Sequence, residues 1–136
     1  MVGAFLWACA RVGRQIVAIE RVSGRRVIET RLLAVSLGQV VFWTRVSSRY
    51  FEHSELTRAH ELGHAEQSRV LGPLYLPLVG VPSVARAVFA LVVRELTGRR
   101  WGGYFDGWPE RQADAHGGIG RDDQGRRVQV GSPVAI

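Results

Sequence analysis

The segment 55–70 restricts the fold most, because it places the residues HELGH, at positions 60–64, in a stretch without proline. Its apolar residues recur at helical spacing, and the Gly-Pro pair at 72–73 is a typical helix stop. Ser54 precedes the segment and can cap a helix, although Thr57 stands where a full capping box has glutamate. We therefore predict one helix over residues 55–70.

The spacing of His60 and His64 on this helix points to a metal site. Side chains four residues apart lie one above the other on a helix, so both imidazoles can reach one ion at about 2.0–2.1 Å. Glu61 follows the first histidine and points slightly aside, where its carboxylate can accept a proton from a water molecule at the metal. The pattern H-E-x-x-H predicts Zn²⁺ bound by His60 and His64, with Glu61 as the catalytic base.

A catalytic zinc ion needs a third protein ligand and one open position. One class of zinc peptidases, the metzincins, has glycine three residues and histidine six residues after the second histidine of the motif. In this chain Gln67 and Val70 occupy those positions after His64, which excludes that class.

The other common third ligand is a glutamate from a second helix, and the segment ERQAD at 110–114 offers one. Glu110 is the predicted metal ligand, and the small side chain of Ala113 permits a close approach of two helices. Asp114 lies one turn further on and can accept a hydrogen bond from a ligand imidazole. The alternatives for the third ligand are His116, Asp114 and His53.

The two motifs together, His60-Glu61-x-x-His64 and Glu110-x-x-Ala113-Asp114, resemble those of the gluzincin metallopeptidases. They are most similar to the membrane-linked branch that contains the prenyl-protein (CAAX) proteases and the heat-shock protease HtpX. The run QSRVLGPLYL at 67–76 is similar to small uncharacterised bacterial proteins with the same zinc motif. The resemblance implies His60, His64 and Glu110 as zinc ligands, Glu61 as the base and Asp114 as a support behind the ligands.

The same resemblance implies hydrolysis of a peptide or protein substrate by a zinc metallopeptidase. Tyr104 is a candidate hydrogen-bond donor to the oxyanion of that reaction, and packing between Gly103 and Phe105 is its alternative role. Because 136 residues leave little wall for a substrate cleft, a non-catalytic zinc-binding interaction or regulatory domain is the second hypothesis for the chain.

The remaining pattern predicts a single α+β domain over residues 1–136. A small N-terminal antiparallel sheet precedes the motif helix, and a core helix and a short helix carrying Glu110 follow it. The predicted strands cover 16–19, 27–33 and 40–44, with a hairpin turn at Ser23-Gly24 and a break at 36–38. The core helix covers 83–96, and residues 121–136 are expected to form a loosely ordered tail. If 40–44 is an edge strand, an extended peptide can pair with it beside the metal.

Charge and cysteine content restrict the partners. The net charge of +6 comes from eighteen arginines without any lysine, and these are spread along the whole chain. No specific nucleic-acid partner is expected from such a distribution, although charge-driven binding to nucleic acid or to a membrane surface is a third hypothesis. Cys9 is the single cysteine, so the chain cannot form an internal disulfide.

Two apolar stretches bear on location. Residues 2–10 have no positive side chain before them, so we predict no signal peptide and a cytoplasmic location. Residues 70–93 are long enough to cross a membrane, and Arg86 is their only charged residue. Three prolines and a glycine within 73–82 should interrupt a spanning helix, which favours a buried loop followed by a core helix. Peripheral membrane contact through 70–93 stays open.

Overall fold

The structure is a computed structural model that describes residues 14–31, 34–38, 40–48, 51 and 54–132. Predictions that concern residues 2–10, Cys9 and His53 lie outside the described residues. A four-stranded sheet precedes three helices and a two-stranded hairpin, which confirms the α+β class. In chain order the elements are β1 (Ile16–Val22), β2 (Arg25–Thr30), β3 (Val35–Leu37), β4 (Val40–Trp43), α1 (Glu55–Leu71), α2 (Val81–Thr97), α3 (Glu110–His116), β5 (Ile119–Arg121) and β6 (Arg127–Gln129).

The N-terminal sheet is mixed, with the strand order β1-β2-β4-β3. Strands β1 and β2 form the predicted hairpin, in which Ser23 and Gly24 have φ angles of 49° and 78°. Two positive φ angles are typical of the tight turn that matches the twist of a hairpin. Strand β3 folds back on β4, and β4 then pairs in parallel with β2. The prediction of an antiparallel sheet is therefore wrong.

The strand that forms the edge of this sheet also differs from the predicted one. Strand β4 lies between two neighbours, and β3 forms the edge. Strand β3 is only three residues long, and two of them lie in the segment 36–38 that is predicted as a break. The parallel pairing of β4 brings the fully buried side chains of Val27 and Val41 together under α1, where they form a core with Trp43, Leu62 and Ala65.

Helix α1 begins at a well-formed cap. The side chain of Ser54 accepts the N–H of Leu56 at 3.2 Å, and the hydroxyl of Thr57 accepts the N–H of Ser54 at 3.0 Å. The threonine thus takes the place of the glutamate that a capping box usually has. The helix ends at Leu71, and Gly72 follows it with a φ of 54°. The prediction of a helix over 55–70 is confirmed.

Helix α3 crosses α1 at very close range, as the small residues at the crossing suggested. A Cβ atom added to Gly63 would lie 1.9 Å from the carbonyl oxygen of Ala113. Ala113 is itself fully buried. Because Gly63 has no side chain, the backbone of α3 can pack directly against α1 at this position, between the two histidines in the sequence.

We expect Gly63→Ala to lower the free energy of unfolding by about 3 kcal/mol, because the added methyl group overlaps backbone that cannot move alone. The higher helix propensity of alanine would by itself stabilise the chain by about 1 kcal/mol, so the two effects have opposite signs. Gly102→Ala is the matched control, because a Cβ there meets nothing within 4 Å. Denaturant unfolding of both variants checks this, and equal stabilities would contradict it.

The segment predicted as a buried loop and core helix is instead helical and largely exposed. One 3₁₀ turn (Gly72–Leu74) and one π-helical turn (Leu76–Gly80) accommodate its prolines and lead directly into α2. Among the described residues, the stretch Leu76–Thr97 is the one helix long and apolar enough to cross a membrane, with a mean hydropathy of 2.0. Only 11% of its most apolar 18-residue window is buried. It is therefore not a core helix.

The C-terminal residues form a hairpin over part of the expected tail. Strands β5 and β6 pair antiparallel from Ile119 to Gln129. The turn between them is closed by Asp122, whose side chain accepts the N–H groups of Gln124 and Arg126. Gly117 ends α3, and Gly118 and Gly120 let the two strands of the hairpin approach each other closely at Gly131 and Val130. Residues 133–136 lie outside the described residues.

Candidate metal centre

The structure brings His60, His64 and Glu110 together in the interior between α1 and α3. The Nε2 atoms of His60 and His64 lie 3.0 Å and 3.2 Å from Oε2 of Glu110. One ligand atom from each of the three residues lies within 4.8 Å of the others, and all three side chains are buried. Two histidines from one helix and a glutamate from another therefore converge on one point, which is a donor set that suits zinc.

The other ring nitrogen of each histidine has a partner of its own. Nδ1 of His60 lies 2.8 Å from Oδ1 of Asp114, and Nδ1 of His64 lies 2.8 Å from Oε1 of Gln67. An acceptor at Nδ1 holds the proton there and leaves the lone pair of Nε2 for a metal. Asp114 thus lies behind the ligands, where it was predicted. Gln67 was not predicted, although its position three residues after His64 on the same helix was a usable signal.

A cation fits this cluster on two grounds. Oε1 of Glu110 is buried and has no hydrogen-bond partner among the described residues, which leaves an acceptor for a further group. Burial disfavours the charge on Glu110, but its hydrogen bonds to His60 and His64 outweigh this and lower the pKa of the carboxyl. A buried carboxylate that stays ionised next to two imidazoles is typical of a metal ligand.

The same contacts should make the stability of the metal-free protein depend on pH. Burial disfavours the charge on His60, but hydrogen bonds to Asp114 and Glu110 outweigh it and raise the pKa of His60 from 6.5 to about 9. A group whose pKa is higher in the folded state stabilises the fold below its unfolded pKa and loses this effect as pH rises through the folded one.

We therefore expect the free energy of unfolding of chelator-treated protein to fall between pH 6.5 and 9. A pKa shift of one unit corresponds to about 1.36 kcal/mol, so the expected fall is on the order of 3 kcal/mol. Zinc should remove this loss, because the ion replaces the proton between the same groups. Denaturant titrations at both pH values, with and without zinc, check this. A stability that is flat or rises over this range without zinc would contradict it.

Glu61 lies next to the cluster and faces a cavity of about 560 Å³ that also borders His60 and His64. Burial raises the pKa of the Glu61 carboxyl, and the positive charges of the two histidines oppose this. A carboxyl with a raised pKa in a cavity beside a candidate metal site is suited to accept and return a proton.

Two tyrosines border the same cavity. Tyr104, the predicted oxyanion donor, lies beside it, and burial raises the pKa of its hydroxyl. Tyr75 was not predicted, and burial raises its pKa to about 12, with a further contribution from the charges of Glu61 and Glu110. Both hydroxyls therefore keep their proton at neutral pH, so both are hydrogen-bond donors at the cavity wall.

The alternative third ligands are placed differently. His116 borders a separate surface cavity with Val70 and Trp108 and is not part of the ligand cluster. Asp114 contacts Nδ1 of His60 and not the side on which Glu110 lies. His53 lies outside the described residues. Of the candidates within the described part of the chain, Glu110 has the geometry of a ligand.

Comparison of the chain with protein-family models, with curated proteins and with solved structures finds no match.

Proposed function

We propose that this protein is a zinc-dependent metallopeptidase that hydrolyses peptide bonds in the cavity beside His60 and His64. The observation that carries the proposal is the buried cluster of His60, His64 and Glu110, with the carboxylate of Glu61 next to it on the cavity side. These three residues would hold the ion, and Glu61 stays free of it. A histidine pair with a separate carboxylate is an arrangement that supports metal-assisted hydrolysis.

Each residue then has a distinct task. Zinc would polarise the carbonyl group of a substrate and lower the pKa of a water molecule beside it. Glu61 accepts the proton of that water and passes it to the leaving amine, for which its raised pKa is suited. Tyr75 and Tyr104 border the cavity as hydrogen-bond donors to the oxygen on which negative charge develops.

The cavity wall favours internal, apolar peptide segments as substrates. Its described lining contains no arginine that would bind a terminal carboxylate, and most of it is apolar, including Leu37, Leu76 and Val84. The edge strand β3 forms one side of it, so an extended peptide would pair with β3 and not with β4 as the sequence suggested. Ser36, in β3, is among the residues that line the cavity.

A cleavage assay with metal removal tests the proposal. The chelator-treated chain should not cleave an unstructured protein or quenched peptides with apolar residues at their centre, and one equivalent of zinc should restore cleavage. If the chain binds zinc in a 1:1 ratio and cleaves none of these substrates, the proposal fails and the non-catalytic zinc-binding domain becomes the better account.

We also propose that this activity is located at a membrane, because the exposed face of α2 is apolar and the charged side chain of Arg86 in this helix faces the protein. Its exposed face is formed by Val81, Val84, Val88, Phe89, Val92 and Leu96. Arg86 lies on the inner side, donates to the carbonyl oxygens of Gly103 and Tyr104, and stacks on Trp101. A water-exposed helix normally has the opposite arrangement, with its apolar face inside.

A lipid bilayer is the partner that fits this face best. The 22 residues of Leu76–Thr97 extend over about 33 Å in a helix, which matches the hydrocarbon thickness of about 30 Å. Arg99 follows the end of α2, where a cation would contact anionic headgroups. The cavity beside the histidines shares Leu76, Val81 and Val84 with this face, so the bilayer would border the entrance of the site.

Flotation with vesicles tests this location. The chain should float with vesicles of neutral and anionic phospholipid, and should stay bound at about 1 M salt, where charge attraction is screened. The triple variant Val84→Asn, Val88→Asn, Val92→Asn should lose binding. The control Val17→Asn, Ile19→Asn changes exposed apolar residues of β1 and should keep it. Failure of the wild type to float, or complete release by salt, would contradict the proposal.

A further inference from the structure

The carboxylate of Asp114 is held by more than the histidine it supports. Oδ1 lies 2.8 Å from Nδ1 of His60 and 2.5 Å from Nη2 of Arg127. Oδ2 lies 2.8 Å from Nε of Arg127 and 3.1 Å from Nη1 of Arg121. Arg127 therefore binds both carboxylate oxygens, and Arg121 binds one of them. Asp114 is 1% exposed, so these contacts take the place of water.

Arg127 also contacts Phe105, whose ring packs against His60. Its guanidinium carbon lies 3.5 Å from the centre of the Phe105 ring, and that ring lies edge-on to His60 with 5.1 Å between ring centres. Arg121 also donates to the carbonyl oxygen of Phe105 at 3.2 Å. The imidazole of His60 is thus fixed by Asp114 at its edge and by Phe105 at its side, and Arg127 contacts both of these residues.

We propose that Arg127 is a positioning residue of the metal centre, which orients His60 through Asp114 and Phe105. Arg127 belongs to β6 and Arg121 to β5, so the C-terminal hairpin becomes part of the site that α1 and α3 form. This inference rests on the proposed zinc centre.

The physical reason is geometric. A guanidinium that binds both oxygens of a carboxylate fixes the plane of that carboxylate, which one ammonium group cannot do. A fixed carboxylate plane fixes in turn the rotation of the imidazole that donates to it. Without Arg127, Asp114 can rotate about its side-chain bonds, and Nε2 of His60 no longer points steadily at the position shared with His64 and Glu110.

Zinc affinity measured by competition with a chromophoric chelator tests the role of Arg127. We expect Arg127→Ala to weaken zinc binding by about 10–100-fold, the range typical of residues behind a metal ligand. Arg127→Lys should recover only part of this, because lysine keeps the charge but not the two-point contact. Arg126→Ala is the matched control in the same hairpin: its guanidinium pairs with Asp122 and should change the affinity by less than about 2-fold.

Two further measurements separate positioning from general damage to the fold. In an Asp114→Ala background, Arg127→Ala should cause a much smaller loss of affinity than in the wild type, because only the contact through Phe105 is left for it to act on. When cobalt replaces zinc, the visible absorption spectrum of Arg127→Lys should differ from that of the cobalt-loaded wild type. Full additivity of the two alanine variants, or an unchanged affinity and cobalt spectrum in Arg127→Lys, would overturn the proposal. If the wild type itself binds no zinc, the zinc centre fails and not the role of Arg127 alone.

Discussion

Glu61→Gln is expected to slow peptide hydrolysis by about 10²–10⁴-fold, the contribution typical of a general base. The substitution keeps the size and the hydrogen-bonding shape of the side chain and removes only its ability to take up a proton. Zinc content should be unchanged, because Glu61 is not one of the three clustered residues that we propose as ligands. Initial rates on a quenched peptide, together with zinc content of the same samples, measure both quantities.

Glu55→Gln is the matched control for this experiment. Glu55 lies on the same helix, but its side chain is exposed and pairs with Arg45 on the surface. It should leave both the rate and the zinc content at the wild-type level. Full activity of Glu61→Gln with zinc bound would show that another group takes the proton, and the assignment of Glu61 as base would then be wrong.

Glu110→Ala is expected to weaken zinc binding by more than about 100-fold, since even a residue behind a ligand contributes about 10–100-fold. Glu110 is the only one of the three clustered residues that comes from α3, and it is 0% exposed. Its loss leaves two imidazoles, which is one ligand fewer than a catalytic zinc ion needs. Competition with a chelator measures the affinity.

A second variant keeps this test independent of the cavity that alanine creates. Glu110→Gln has nearly the volume of the native side chain, so a loss of affinity there reports on the charge. Arg111→Ala is the control on the same short helix, because the side chain of Arg111 is exposed. Zinc affinity that is unchanged in both Glu110 variants would contradict the ligand set and turn attention to His116.

The features that sequence could predict are those encoded within a few residues. The motif helix was predictable because its cap, its apolar spacing and its stop all lie within 54–73. Ala113 was informative for the same reason, since its small side chain suggested a close approach of two helices, and the structure places that approach at Gly63.

The features that sequence could not predict depend on distant parts of the chain. The three residues of β3 are too few for a strand pattern, and the parallel pairing of β2 with β4 is decided by burial of Val27 and Val41 against α1. An apolar helix has the same composition whether its apolar face lies inside or outside, so the exposure of α2 was not visible. Arg127 is one of eighteen arginines, and only the hairpin shows that it binds Asp114.

Zinc content by elemental analysis is the measurement that tests the metal centre most directly. Wild-type protein, incubated with zinc and dialysed, should contain one zinc ion per chain, and His64→Ala should contain almost none. His116→Ala, which changes a histidine outside the ligand cluster, should keep one. Wild-type protein without zinc, or His64→Ala with a full equivalent, would contradict a metal site built on the two histidines of α1.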